Sequence, residues 1–245
     1  MTLQVVALGV GGAFSRRYYS TSVAVSSPTQ TILLDCPHPI RKMLAEANLS
    51  RPLDIADIHA VLISHLHADH VSGLEGLLFF SKFHAGRKAT VAAAKPVLKR
   101  LWTNHLAAGM DSLTIEGESR NISLEDYADI ETLSETHRST IGEFDIECYR
   151  TRHHVPTFAF KIFHGTSSLG YSADTEFDPS LIDWLSPCDL IIHETNEGIH
   201  TPYTKLAGLD ASLRKKMRLI HYPDDFSPAH STISPMIQGE PISIS

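Results

Sequence analysis

Short runs of apolar residues, separated by turn-forming residues, begin the chain and predict consecutive β-strands. The runs are Leu3–Leu8, Ser22–Ser26 and Thr31–Leu34, and the segments Gly9–Gly12 and Ser27–Gln30 separate them. Continuous apolar runs of roughly four to eight residues are typical of buried strands. We therefore expect the chain to open with several consecutive strands.

Further along the chain, apolar residues alternate between helical and strand spacing. Ile40, Met43 and Leu44 recur at helical intervals, and Ile58–Ile63 predicts a buried strand. The other predicted helices are Ser72–His84, Lys95–Ala108, Leu124–Tyr127, Pro179–Leu185 and Tyr203–Lys216. The other predicted strands are Thr90–Ala93, Glu143–Thr151, Phe158–Phe163, Ser167–Tyr171, Leu190–His193 and Arg218–His221. Strands grouped in each half of the chain predict an α/β fold with two sheets face to face and helices outside.

The last part of the chain has a different composition. Residues 1–221 carry the predicted elements and form one predicted domain, whereas residues 222–245 show almost no periodic apolar pattern. The prolines of this segment are Pro223, Pro228, Pro235 and Pro241. We expect a proline-rich tail that wraps the surface, reaches a partner subunit or is mobile.

Composition and charge exclude several classes of protein. The 245 residues are 42% hydrophobic and 20% charged, as in ordinary globular domains. No apolar run approaches the ~18 residues of a membrane span, and no targeting segment is recognised. A net charge of −7 gives no general attraction for nucleic acid or anionic membranes. Three widely spaced cysteines favour a reducing compartment, so we expect a cytoplasmic protein.

Histidine is unusually abundant, with 15 of 245 positions, and four metal-binding side chains cluster in one segment. The motif H-x-H-x-D-H, formed by His65, His67, Asp69 and His70, directly follows the strand Ile58–Ile63. His65 and His67 are two residues apart in extended backbone, so both can reach one ion. Asp69 and His70, on the following turn, can reach a second ion. Imidazole and carboxylate ligands suit Zn²⁺, with Mn²⁺ or Fe as alternatives.

This motif and five other segments resemble the metallo-β-lactamase fold hydrolases, and among them the ribonuclease Z-like phosphodiesterase branch. The other segments are Thr31–Cys36, His153–Ile162, Gly170–Thr175, Asp189–Asn196 and Arg218–His221. The resemblance implies a four-layer αββα sandwich and a metal-dependent hydrolase that holds two divalent metal ions.

The resemblance also implies a set of metal ligands. It assigns His65, His67 and His153 to one ion, Asp69, His70 and His221 to the other, and Asp174 to a position between them. His154 is the alternative to His153, because two histidines precede Val155.

Three residues, Asp69, Glu194 and His200, have candidate roles in proton transfer. Two neighbouring ions can activate a bridging water, and Asp69 can orient the resulting hydroxide or accept its proton. His200, paired with Glu194, is implied by the resemblance as the proton donor to the leaving alkoxide or as a phosphate clamp. The alternative for His200 is an ordinary surface histidine.

The predicted reaction is hydrolysis of a small or cyclic nucleotide phosphodiester. The alternatives are cleavage of tRNA precursors at the 3′ end, hydrolysis of a lactone or another ester, and metal binding without turnover. Many bacterial ribonuclease Z enzymes insert a tRNA-binding arm between the segments that resemble His153 and Asp174. Here Asp174 follows His153 by only 21 residues, so a small substrate is favoured over tRNA. The resemblance also implies a homodimer.

Overall fold

Fifteen strands and eight α-helices form the regular structure of residues 2–244, which a computed structural model describes. The strands β1 to β15 are Leu3–Gly9, Ser22–Ser26, Thr31–Leu34, Ile58–Leu62, Ala89–Ala94, Ser112–Ile115, Glu118–Asn121, Ala128–Leu133, Ser139–Ile141, Phe144–Arg150, Phe158–His164, Ser167–Tyr171, Leu190–Glu194, Met217–Ile220 and Pro241–Ile244. The helices α1 to α8 are Ile40–Glu46, Ala68–Val71, Leu74–Phe79, Lys95–Leu101, Ala107–Met110, Pro179–Leu185, Tyr203–Ala207 and Ala211–Lys216. Short π-helical segments, Phe80–His84 and Trp102–Leu106, extend α3 and join α4 to α5. Among residues 2–244, none of the helices is long and apolar enough to cross a bilayer.

Two large sheets contain most of the strands. One has seven strands in the order β15-β1-β2-β3-β4-β5-β8, and the other has six in the order β14-β13-β12-β11-β10-β9. Side chains from both sheets and from the helices form one hydrophobic cluster. The predicted α/β architecture is confirmed. Nearly every residue of the central strands is buried, which explains why their sequences are continuous apolar runs.

Strands that run in the same direction bring their carboxyl ends to one edge of each sheet. In the first sheet β3 and β4 are parallel. In the second, β12, β13 and β14 are parallel, and β10 runs the same way because β11 is antiparallel to both β10 and β12. Loops that follow such strand ends are the usual place for a site in sheets of this type. Every candidate ligand lies in a segment that follows one of these strand ends.

The hairpin of β11 and β12 agrees with the sequence prediction. His164 pairs with Ser167 and the strands are antiparallel. Gly165 lies in the turn with φ +59°, a conformation that glycine adopts without steric cost. The tight turn leaves no room in this hairpin for an inserted arm.

Some elements differ from the prediction because polar or broken patterns give weak signals. The predicted helix Tyr203–Lys216 is two helices, α7 and α8, and Asp210 begins the second by accepting a hydrogen bond from the Ser212 backbone N–H. The hairpin of β6 and β7 was not predicted, because its residues are largely polar and exposed.

The C-terminal segment belongs to the first sheet and is not a separate tail. Strand β15 pairs with β1 in antiparallel register. Met236 is fully buried, and its carbonyl accepts a hydrogen bond of 2.9 Å from the Tyr222 hydroxyl. The predicted boundary at residue 221 therefore does not end the fold. Met1 and Ser245, which begin and end the predicted segments, lie outside the described residues.

Candidate metal centre

The H-x-H-x-D-H segment runs from the end of β4 into α2. His67 is the N-cap residue of α2, and Asp69 and His70 lie within this short helix. His65 and His70 are fully buried, with ring centres 4.2 Å apart. The extended backbone before α2 directs His65 and His67 to the same side, as the spacing predicts. His65 Nε2 and His67 Nδ1 are consequently 3.2 Å apart.

A first cluster forms where this segment meets the loops that follow β10 and β12. Its members are His65, His67, His153 and Asp174. His153 Nε2 lies 3.1 Å from His67 Nδ1. Asp174 Oδ2 lies 3.7 Å from His65 Nε2 and 3.8 Å from His153 Nε2. Four potential ligand atoms thus converge from three separate loops.

A second cluster shares Asp174 with the first. Its members are Asp69, His70, Asp174 and His221. Asp174 Oδ1 lies 3.2 Å from His70 Nε2, and Asp174 Oδ2 lies 3.7 Å from His221 Nε2. Asp69 Oδ2 lies 3.4 Å from His70 Nε2 and 3.2 Å from His221 Nε2. Asp174 is therefore the residue that joins the two clusters.

The spacing of these atoms fits metal coordination. Ligand atoms bound tetrahedrally at about 2.0–2.1 Å from a zinc ion lie roughly 3.3–3.4 Å from one another. The pair distances given above run from 3.1 to 3.8 Å, and all potential ligand atoms of each cluster lie within 4.8 Å of one another. The buried side-chain atoms that lack a hydrogen-bond partner include His70 Nε2 and Asp174 Oδ1, which face each other in the second cluster. Buried polar atoms are normally paired, so the unpaired atoms point to a cation between them.

Burial sets the protonation of two candidate ligand histidines of the first cluster. Desolvation lowers the pKa of His65 well below its usual value and lowers the pKa of His153 to about 4. Both imidazoles are therefore neutral near pH 7, which is the form that binds metals. Burial raises the pKa of Asp69, but the neighbouring imidazoles of His221 and His70 outweigh burial and leave it below its usual value.

Asp35, directly after β3, orients the H-x-H-x-D-H segment through hydrogen bonds. It is fully buried and accepts hydrogen bonds from the Ser64 backbone N–H and hydroxyl, each 2.8 Å long. The Tyr171 hydroxyl donates a third, of 3.0 Å. His70 Nδ1 lies 2.8 Å from Asp35 Oδ2, so His70 donates through Nδ1 and directs its Nε2 lone pair into the second cluster. Asp35 thereby fixes the tautomer of a candidate ligand.

Asp35→Asn is expected to weaken metal binding by roughly 10- to 100-fold, because mutation of the group that hydrogen-bonds the other ring nitrogen of a metal-binding histidine has effects of this size. The measurement is a chelator competition that follows zinc release, with circular dichroism to verify the fold. The control is Asp129→Asn, an exposed residue on β8. Equal metal affinity in Asp35→Asn and the wild type would contradict this role.

Backbone strain concentrates at the same centre. Among the described residues, four non-glycine residues have positive φ, and three of them are Asp35 (62°), Ala173 (49°) and His221 (59°). A non-glycine residue in this region costs roughly 1–2 kcal/mol, and such strain tends to be kept where it positions functional groups. The three strained residues are therefore Asp35, which supports His70, Ala173, which precedes Asp174, and the ligand candidate His221.

Glu194 and His200 form a pair beside the clusters. Glu194 ends β13 and is buried, and its Oε1 accepts hydrogen bonds from the Thr175 backbone N–H at 2.8 Å and from His200 Nδ1 at 2.9 Å. Burial raises the pKa of Glu194, although the hydrogen bond from His200 acts in the opposite direction. His200 Nδ1 lies 3.9 Å from Asp174 Oδ2, and its ring centre lies 4.9 Å from that of His221. The structure thus brings the predicted pair together next to the candidate ligands.

A cleft of about 940 Å³ opens over both clusters. Its lining includes the ligand candidates His67, Asp69, His153, Asp174 and His221, together with His154 and His200. The loops 12–15 and 196–199 and residues Pro223 and Asp224 complete the walls. Among the described residues, no lysine or arginine lines this cleft.

Comparison with known proteins identifies the family. Residues 3–237 match the family described as Anti-Pycsar protein Apyc1. The chain is 34% identical over 233 residues to the Anti-Pycsar protein Apyc1 of Paenibacillus sp. (strain J14), which covers 92% of this chain and 91% of that protein. The chain belongs to the Anti-Pycsar Apyc1 family.

Solved structures show the fold that this Apyc1-family chain adopts. It is similar to the metallo-β-lactamase fold protein YhfI from Bacillus subtilis, with a TM-score of 0.78, 18% identity and coverage of 99% of this chain and 100% of that chain. It is also similar to the short form of human tRNase Z, with a TM-score of 0.70, 18% identity and 99% coverage of both chains. The predicted metallo-β-lactamase fold and the resemblance to the ribonuclease Z-like branch are confirmed. The Apyc1-family chain is a metal-dependent hydrolase, as predicted.

The glycine run after β1 has a structural role in this Apyc1-family protein that the sequence did not reveal. A Cβ on Gly12 would lie 2.5 Å from Asn196 Nδ2 and 3.2 Å from His221 Cε1. Asn196 Nδ2 in turn donates a 2.9 Å hydrogen bond to the His221 carbonyl. Gly12 therefore lets the backbone approach the second cluster closely. In the sequence, the run of glycines indicates that the backbone needs conformational freedom here, but it does not indicate which residues the backbone approaches.

The two adjacent histidines of this Apyc1-family chain are expected to differ when mutated. His153→Ala should lower turnover and metal content markedly more than His154→Ala, because His153 Nε2 lies within the first cluster. The His154 ring lies 6.4 Å from that of His67, against 4.8 Å for His153. Steady-state kinetics and metal analysis of the two variants provide the comparison, and each serves as the other's matched control. The opposite order would shift the ligand by one residue.

Proposed function

We propose that this protein is a dinuclear metal-dependent phosphodiesterase that hydrolyses a small or cyclic nucleotide. The proposed ligands are His65, His67 and His153 for one ion, Asp69, His70 and His221 for the other, and Asp174 between them. The observation that carries the proposal is the shared carboxylate of Asp174, whose two oxygens face both clusters. Two clusters joined by one carboxylate are typical of a two-metal hydrolytic site.

When bound, two divalent ions, zinc foremost and manganese or iron as alternatives, supply an activated water and neutralise charge on the phosphoryl oxygens. Asp69 is the proposed group that orients the attacking water or accepts its proton. Its carboxylate lines the cleft, is 11% exposed and is held by His70 and His221. A fixed carboxylate of lowered pKa stays ionised, so it is ready to accept a hydrogen bond from water.

His200 is the proposed proton donor to the leaving oxygen. Its Nδ1 donates to Glu194 Oε1, which leaves Nε2 as the nitrogen that can carry a transferable proton. Glu194 in turn is held by the Thr175 backbone, so it fixes the position and tautomer of the ring. An alkoxide leaving group needs such a proton, because it is a strong base.

The cleft favours a substrate that carries a single phosphodiester. No lysine or arginine lines it among the described residues, and Glu197 and Asp224 contribute negative charge to its walls. A polyanion such as tRNA would meet these carboxylates and a net charge of −7 without a basic surface in the cleft to offset them. One phosphodiester can be held by the metal ions alone. The short turn between β11 and β12 also provides no arm for tRNA.

The test is a substrate panel with the purified protein and added Zn²⁺ or Mn²⁺. It compares 3′,5′-cyclic purine and pyrimidine nucleotides, bis-p-nitrophenyl phosphate, a lactone and a tRNA precursor. We expect the highest kcat/KM on a cyclic nucleotide. Efficient 3′ processing of the tRNA precursor, or preference for the lactone, would overturn the proposal.

We also propose that the protein works as a homodimer in the cytoplasm. The three cysteines are free and buried, which supports a reducing compartment. The homodimer is supported by the resemblance to the ribonuclease Z-like branch. Light scattering should give twice the chain mass of 27.0 kDa, whereas the mass of a single chain would refute the dimer.

A further inference from the structure

One apolar side chain is exposed at the cleft itself. Phe14 is 96% exposed, the highest value among the large hydrophobic residues that the structure describes. It lines the cleft over the two clusters, whereas the other exposed large hydrophobic residues do not. Those residues are Phe83, Ile115 and Ile237.

The turn that carries Phe14 is fixed at both ends. The Ser15 N–H donates a 3.1 Å hydrogen bond to the Gly12 carbonyl, so Ala13 and Phe14 are the two central residues of a tight turn. Gly12 abuts His221, because a Cβ there would lie 3.2 Å from the imidazole. At the other end, the Ser15 hydroxyl donates a 2.5 Å hydrogen bond to Asp224 Oδ1. The ring is therefore presented from a braced loop next to the second cluster.

We propose that Phe14 is the platform on which the base of the nucleotide substrate stacks while the phosphodiester lies over the two clusters. The proposal rests on the proposed function. Every nucleobase has an aromatic face, and stacking on a protein aromatic ring contributes substantially to binding without reading the base sequence. A braced turn presents the ring with little loss of conformational entropy on binding. The exposed ring stands in the lining of the cleft beside the two clusters, so stacking is a means by which the cleft can bind the base.

The test compares substrates with and without a base. Phe14→Ala is expected to raise KM for a cyclic purine nucleotide by about 10-fold or more and to change kcat by less than about 2-fold. The rise in KM should be smaller for a cyclic pyrimidine nucleotide and absent for 3′,5′-cyclic ribose phosphate, which lacks a base. Phe14→Trp should keep KM near the wild-type value. Phe83→Ala removes a 60% exposed phenylalanine outside the cleft and is the matched control.

The outcomes separate this proposal from the proposed function. If the wild type hydrolyses cyclic nucleotides and Phe14→Ala has an unchanged KM, the stacking role is overturned and the phosphodiesterase stands. If KM rises equally for the base-free diester, Phe14 supports the loop and does not bind a base. If Phe14→Ala changes the mass measured by light scattering, the ring is a subunit contact and the proposal fails. A wild type that hydrolyses no cyclic nucleotide would overturn both proposals.

Discussion

Asp174→Ala is expected to reduce phosphodiester hydrolysis to background and to release at least one of about two metal ions per chain. Asp174 is 2% exposed, with Oδ1 3.2 Å from His70 Nε2 and Oδ2 3.7 Å from both His65 Nε2 and His221 Nε2. A carboxylate between two dications offsets their mutual repulsion. In the proposed dinuclear site, its loss would remove a ligand from both ions and leave that repulsion uncompensated.

The measurements for Asp174→Ala are metal content by mass spectrometry, steady-state kinetics on a cyclic nucleotide, and circular dichroism. The matched control is Asp183→Ala, which removes an exposed carboxylate from α6. We expect this control to keep both metal content and turnover. Full activity in a folded Asp174→Ala variant would refute the dinuclear assignment.

His200→Ala is expected to lower kcat on a cyclic nucleotide by roughly 10²-fold or more, the usual contribution of general acid catalysis. His200 is fixed by a 2.9 Å hydrogen bond to Glu194 and lies beside the shared carboxylate of Asp174. Bis-p-nitrophenyl phosphate releases a nitrophenolate, which is a weak base and needs little protonation. Its hydrolysis should therefore fall much less than that of the cyclic nucleotide.

The difference between the two leaving groups is the informative result for His200. A merely structural role would lower both rates by the same factor. His230→Ala removes an exposed histidine that does not line the cleft, and this control should change neither rate. Equal losses on both substrates in His200→Ala would contradict the role as a proton donor.

Local sequence patterns predicted much of the fold correctly, because the signals they carry are local. Buried strands such as β3 and β13 are unbroken apolar runs, and helix α6 begins after the capping residue Asp178. The pairing of His65 with His67 follows from the two-residue repeat of extended backbone. By contrast, β6 and β7 have polar, exposed residues, and their pairing left no periodic apolar signal.

The sequence by itself determined the α/β class, many of the strands and helices, and the H-x-H-x-D-H grouping, since each depends on side chains close together in the chain. The resemblance had grouped His153, Asp174 and His221 with this motif, but the tertiary structure decided the contacts between distant residues. It brought Asp35 into contact with His70, which lies 35 positions later in the chain. It also placed His153, and not His154, next to His67. It also made β15 an edge strand on β1. The physical reason is that these contacts depend on which strands run in the same direction and on backbone hydrogen bonds to a strand far away in the chain. Neither feature changes the local pattern of apolar and polar residues.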